Sequence, residues 1–66
     1  MKYQVEFSMV HTVKGYGEIS ERRFYEEFVA KDEKELMEKA NHYAKEKSYQ
    51  DDDEWYDCIV MDTFEI

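Results

Sequence analysis

The chain contains no proline, only two glycines and a single cysteine among its 66 residues. One cysteine cannot form an internal disulfide, so a disulfide-stapled scaffold is excluded. Without Pro- or Gly-rich stretches nothing divides the chain, and no repeat or low-complexity tract interrupts it, so 1–66 reads as one domain. The longest uninterrupted apolar run is Cys58-Ile59-Val60-Met61, far too short to cross a bilayer. No basic segment followed by an apolar one opens the chain, so no secretory signal is read and a cytoplasmic protein is expected. Basic residues are scarce, with 9 Lys+Arg against 17 Asp+Glu for a net charge of −8. That balance disfavours direct binding to a nucleic-acid backbone, because phosphates need a basic face. Disorder is disfavoured as well, since 42 % of the residues are hydrophobic and many are large aromatics able to build a core.

The acidity is uneven. Residues 1–16 sum to +1, residues 17–31 to −1 and residues 32–47 to −1. The final segment, 48–66, holds Asp51, Asp52, Asp53, Glu54, Asp57, Asp62 and Glu65 with no base, a sum of −7. The molecule is therefore polarised along its sequence.

From Lys2 to Met9 apolar and polar residues alternate strictly, with Tyr3, Val5, Phe7 and Met9 on one side. This period of two marks a strand with one buried face. Lys14-Gly15-Tyr16-Gly17 carries both glycines and reads as a hairpin turn, since glycine tolerates positive φ. A second strand follows over about Glu18 to Ala30. With Gly15-Tyr16 as a two-residue loop, Phe7 faces Phe24, Tyr3 faces Phe28 and Val5 meets Glu26. A slip of one residue would instead bury Tyr25 and Val29. Asp32 is placed to cap a helix, with Glu35 reaching back and Glu33 near the positive end of the dipole. Leu36, Met37, Ala40, Tyr43 and Ala44 form one apolar stripe of that helix, which should end near Ser48. Tyr49 to Glu54 reads as a polar loop, and Trp55 to about Phe64 as a third strand. The expected fold is α+β: a three-stranded antiparallel sheet in the order 2-1-3 with one helix on one face, the crossover rule placing the third strand beside the first.

One helix covers one face, and a solitary monomer should keep the other face polar. The third strand does not comply: Tyr56, Cys58, Val60 and Phe64 alternate with Trp55, Ile59 and Met61. In the second strand Tyr25 and Val29 lie opposite Phe24 and Phe28. The helix-free face is therefore expected to carry Val10, Tyr25, Val29, Trp55, Ile59 and Met61, framed by Glu6, Glu27, Asp57 and Arg23. A contiguous patch of this kind marks an interaction surface. The alternative is a third strand that bulges or twists and partly buries both sets.

No constellation for chemistry stands out. Cys58 lies in an apolar run and reads as a buried structural thiol. His11 and His42 show no metal-type spacing with each other or with Cys58. Asp51-Asp52-Asp53-Glu54 lacks the alternating ligands and turn glycine of a calcium loop; it is either a solvated loop or acidity directed at a partner. No catalytic residue, cofactor or metal is expected, and the chain is not read as an enzyme.

The stretch Phe28-Val29-Ala30-Lys31-Asp32-Glu33-Lys34-Glu35-Leu36-Met37-Glu38-Lys39-Ala40 carries a resemblance. A strand end, a capping Asp and a Glu-rich amphipathic helix within a β-β-α-β outline resemble small proteins of bacteriophages and mobile elements. Phage inhibitors of host RNA polymerase and some small anti-restriction and anti-CRISPR proteins are similar in this outline. Leu36-Met37 departs from the small residue that such helices often carry. The resemblance implies a small cytoplasmic protein that binds another protein. The residues suggest the same class. A partner with a basic, nucleic-acid-handling surface would meet Tyr25, Val29, Trp55, Ile59, Met61, Asp51, Asp52, Asp53, Glu54 and Asp57. The alternative is a homodimer that self-associates through the open sheet face, its acidity serving solubility.

Overall fold

The computed structural model describes residues 1–66. Two long strands, β1 (Lys2–Val13) and β2 (Gly17–Val29), form a hairpin and lead into one helix, α1 (Glu33–Lys47). A short strand β3 (Tyr49–Gln50) and a long strand β4 (Glu54–Glu65) follow. The sheet is antiparallel with the order β2-β1-β4-β3. It thus has four strands where the sequence suggested three. The additional one lies in the stretch read as a loop, where Tyr49 pairs with Tyr56 and Gln50 with Trp55. The rest of the expected order stands: β1 is central and antiparallel to both long neighbours.

The hairpin register matches the aromatic pairing, with Phe7 opposite Phe24, Tyr3 opposite Phe28 and Val5 opposite Glu26. The turn does not have the expected two residues. Val13 pairs with Gly17, which leaves Lys14-Gly15-Tyr16 as a three-residue loop closed by the Tyr16 amide donating to the Val13 carbonyl at 3.0 Å. Gly15 and Gly17 have φ of 86° and 81°, values that a side chain makes costly. The register then shifts between His11 and Thr12, where Ile19 is the extra residue on β2. That bulge restores the pairing of the aromatics further along.

A second bulge decides which residues of β4 face which way. Phe7 pairs with Val60 but Glu6 pairs with Asp62, so Met61 is the extra residue. Before it, Tyr56, Cys58 and Val60 lie on the helix side. Beyond it the alternation inverts, and Phe64, opposite Gln4, comes to the helix-free face.

Asp32 caps the helix, its Oδ1 accepting the Glu35 amide at 2.9 Å, while Glu35 Oε1 accepts the Lys31 amide at 3.2 Å. Leu36, Ala40 and Ala44 are buried against the sheet, whereas Met37 lies at the margin of the stripe and stays exposed. The alanines let the helix backbone approach the strands closely. With Tyr3, Val5, Phe7, Ala30 and Cys58 these residues make the core. At its centre the Phe7 ring meets Phe24 at 5.4 Å, Tyr43 at 4.9 Å and Phe28 at 6.1 Å, separations at which aromatic pairs attract beyond their buried area. The Ser48 hydroxyl fastens the helix end to the sheet by donating to the Ala44 carbonyl at 2.9 Å and accepting the Cys58 amide at 3.0 Å.

Helix and sheet differ in length. At about 1.5 Å per residue the helix is roughly 22 Å long, whereas the molecule extends 43 Å along its longest axis. The helix therefore shelters only half of its face.

Candidate functional site

Cross-strand neighbours identify the residues of the helix-free face, because side chains at paired positions share one side of the sheet. Even positions of β1 and their partners occupy it. Val29 sits beside Lys2, Tyr25 beside Glu6, Ile59 beside Ser8, Asp57 beside Val10 and Trp55 beside Thr12. Tyr25 is 53 % exposed, Val29 64 %, Ile59 50 % and Phe64 43 %. Met61, at the bulge, is also exposed, while Trp55 and Val10 are half-buried.

The apolar residues do not merge into one patch. Apart from half-buried Val10 on β1, they lie along the two flanks, on β2 and on β4, and a polar network runs between them. Glu6 accepts from the Tyr25 hydroxyl at 3.3 Å and lies 3.5 Å from the Arg23 guanidinium. Arg23 is also 3.9 Å from Glu21, which accepts the buried Ser8 hydroxyl at 3.1 Å. The central strand is polar on this side, at Gln4, Glu6 and Ser8, which is why the patch divides. Carboxylates dominate the face: Glu6, Glu18, Glu21, Glu27, Asp57 and Asp62 against Lys2 and Arg23.

The acidic run divides by role. Asp51 serves the turn between β3 and β4, its Oδ1 accepting the amides of Asp53 and Glu54 at 2.8 Å each. These backbone hydrogen bonds hold its carboxyl below the ordinary aspartate value. Glu54 faces the His11 ring at 3.3 Å on the helix side of the sheet. Asp52 and Asp53 are exposed at the tip, where the Lys14 amide donates to the Asp53 carbonyl at 2.8 Å and ties the two turns together. The stretch that read as one acidic unit thus supplies two free carboxylates, a structural aspartate and a glutamate on the other side.

Where the helix stops short, the other face opens into a groove of about 630 Å³. Its floor is Met9 and His11, the latter stacked on Tyr56 with centroids 4.1 Å apart. Phe24, Tyr43, Arg22 and Lys47 line it. Burial and the nearby Glu26 carboxylate raise the Tyr43 hydroxyl above the ordinary phenol range. Cys58 is buried beneath the helix end, and burial raises its thiol too. His42 pairs with Glu46 at 2.9 Å on the exposed side of the helix, remote in role from His11. No group of three or more His, Cys, Asp or Glu side chains gathers. Sequence patterning missed Phe64 and this groove. The groove was accessible from length alone, since a helix of 15 residues cannot roof strands of 12.

No family model, no curated protein and no solved structure matches this chain.

Proposed function

We propose that the chain is a small acidic protein-binding module, of the phage or mobile-element kind, that modulates or inhibits a basic nucleic-acid-handling protein. The observation that carries this reading is the composition of the helix-free face. Half-exposed Tyr25, Val29, Ile59 and Phe64 flank a surface on which carboxylates outnumber cations. Large apolar side chains supply anchors once desolvated, and the surrounding carboxylates speed encounter with a positive surface. Asp52 and Asp53 extend that charge beyond the sheet. Stacking two copies face to face would set carboxylates against carboxylates, so charge favours a partner of opposite sign over self-stacking of this face.

The test is capture on the immobilised chain, comparing the native sequence with Ile59→Lys and Tyr25→Ala. The expected result is a nucleic-acid-binding protein retained at low salt, released at high salt, displaced by added duplex DNA, and lost from Ile59→Lys. Retention unaffected by DNA, or as strong on both variants as on the native chain, would overturn the reading.

A further inference from the structure

We propose that two copies of this chain join along β2, edge to edge, into one continuous antiparallel sheet. This inference is independent of the partner reading, because it uses the strand edge and leaves the helix-free face uncovered. β2 is an outer strand, and apart from half-buried Phe24 and Phe28 its residues are exposed throughout. The helix packs chiefly against β4. The hydrogen bonds at the hairpin's open end fix which backbone groups point outward. The Ala30 amide donates to the Met1 carbonyl, and the Met1 ammonium donates to the Ala30 carbonyl, both at 3.0 Å. Partners alternate along a strand, so even-numbered residues of β2 turn toward β1. Glu21, Arg23, Tyr25 and Glu27 present their amides and carbonyls to solvent. Lys39 closes the far end of the edge, its ammonium donating to the Val29 carbonyl at 2.6 Å.

Of the registers that satisfy the backbone, one also pairs the β2 cation left unpaired in the monomer. With Phe24 opposite its own copy, the outward groups of Arg23 meet those of Tyr25, and Arg22 stands opposite Glu26 twice. Arg22 makes no ion pair within the monomer, while Arg23 is already engaged by Glu6 and Glu21. Arg23 then lies beside the Tyr25 ring of the second copy, and Phe24 meets Phe24. The like-charge combination, Glu21 opposite Glu27, also occurs twice and is tempered by Arg23 at 3.9 Å from Glu21 and Lys2 at 3.8 Å from Glu27. Shifting the strands one step toward the turn puts Arg23 on its own copy. The opposite shift sets Arg23, already paired within the monomer, against Glu27, but it puts Phe24 against Glu26 and leaves Arg22 facing Phe28. The other open edge, on β4, is a poorer choice. It is covered at Trp55 and Tyr56 by β3 and at Cys58 by Ser48, and what remains carries Asp62 and Glu65 without a base.

Light scattering after size exclusion on the full chain, from micromolar to millimolar concentration, tests the proposal. The expected mass is twice 8.1 kDa at the upper end. Arg22→Glu or Glu26→Arg alone should weaken association about tenfold, as two attractive cross-strand pairs per dimer become repulsive. The double variant Arg22→Glu/Glu26→Arg should restore it. Amide exchange at Arg23 and Tyr25 should slow with concentration while that of Glu65, whose amide faces outward on the β4 edge, is unaffected. A mass of 8.1 kDa at millimolar concentration would overturn the proposal, as would a folded double variant no better than either single one.

Discussion

The Asp51 carboxylate takes the amides of Asp53 and Glu54 at 2.8 Å each and the Tyr49 hydroxyl at 3.2 Å. Such bonds favour the charged form, which is why its carboxyl lies below the ordinary aspartate range. A depressed folded-state pKa adds stability above the unfolded value, and that stability is lost as pH falls through the folded one. Asp51→Ala should therefore lower the melting temperature at neutral pH more than Asp52→Ala does. Asp51→Asn, which keeps an acceptor oxygen, should lie between them. The difference between the native chain and Asp51→Ala should shrink in strong acid. Thermal unfolding followed by circular dichroism checks this series, and equal effects of Asp51→Ala and Asp52→Ala would place Asp51 outside the turn's support. The same residue shows why composition misleads at this scale: four adjacent acids look alike until the backbone assigns each its partner.

The elements were legible to the extent that their pattern is periodic and local. Strict alternation from Tyr3 to Met9 located β1, the glycines located the turn, and Asp32 with Glu35 located the helix start. Aromatic pairing selected the β1–β2 register. Three features were not legible, and each depends on contacts made elsewhere in the fold. Tyr49–Gln50 is too short to show a period and is a strand only because Tyr56 and Trp55 lie alongside it. The bulges at Ile19 and Met61 are adjustments between registers fixed elsewhere, so simple alternation puts Phe64 on the wrong side. The open face was anticipated residue by residue at Tyr25, Val29, Trp55 and Ile59, but its division by Glu6, Arg23, Glu21 and Ser8 is a side-chain network that alternation cannot display. Between elements, the Ser48 hydroxyl joins the end of α1 to β4. Ser48→Ala removes both bonds and leaves the Cys58 amide without this acceptor. It should destabilise the protein by about 1–2 kcal/mol, measured by urea unfolding. A loss below a few tenths of a kcal/mol would mean that water replaces the hydroxyl.

For the whole molecule, a net charge of −8 on 66 residues means that compaction works against self-repulsion. The ion pairs present are solvent-exposed for the most part, as at Lys2–Glu27 and Lys39–Glu35, and such pairs contribute little. Repulsion among the surplus carboxylates therefore outweighs them, and moderate salt should raise the melting temperature by screening it. Scans at low and at moderate sodium chloride check this; an unchanged midpoint would show that the carboxylates are already too far apart to interact. The mismatch between a helix of about 22 Å and a molecule 43 Å long has a mechanical consequence. The half near Phe7 is anchored by the helix and the aromatic cluster, while the half near the turns is held by ladder hydrogen bonds, the His11–Tyr56 stack and the Lys14–Asp53 clasp. Regions with fewer buried contacts open at lower free energy. The protein therefore frays like a zip from its turn end, and proteases that act on opened backbone meet Lys14 and Tyr16 long before they reach the core.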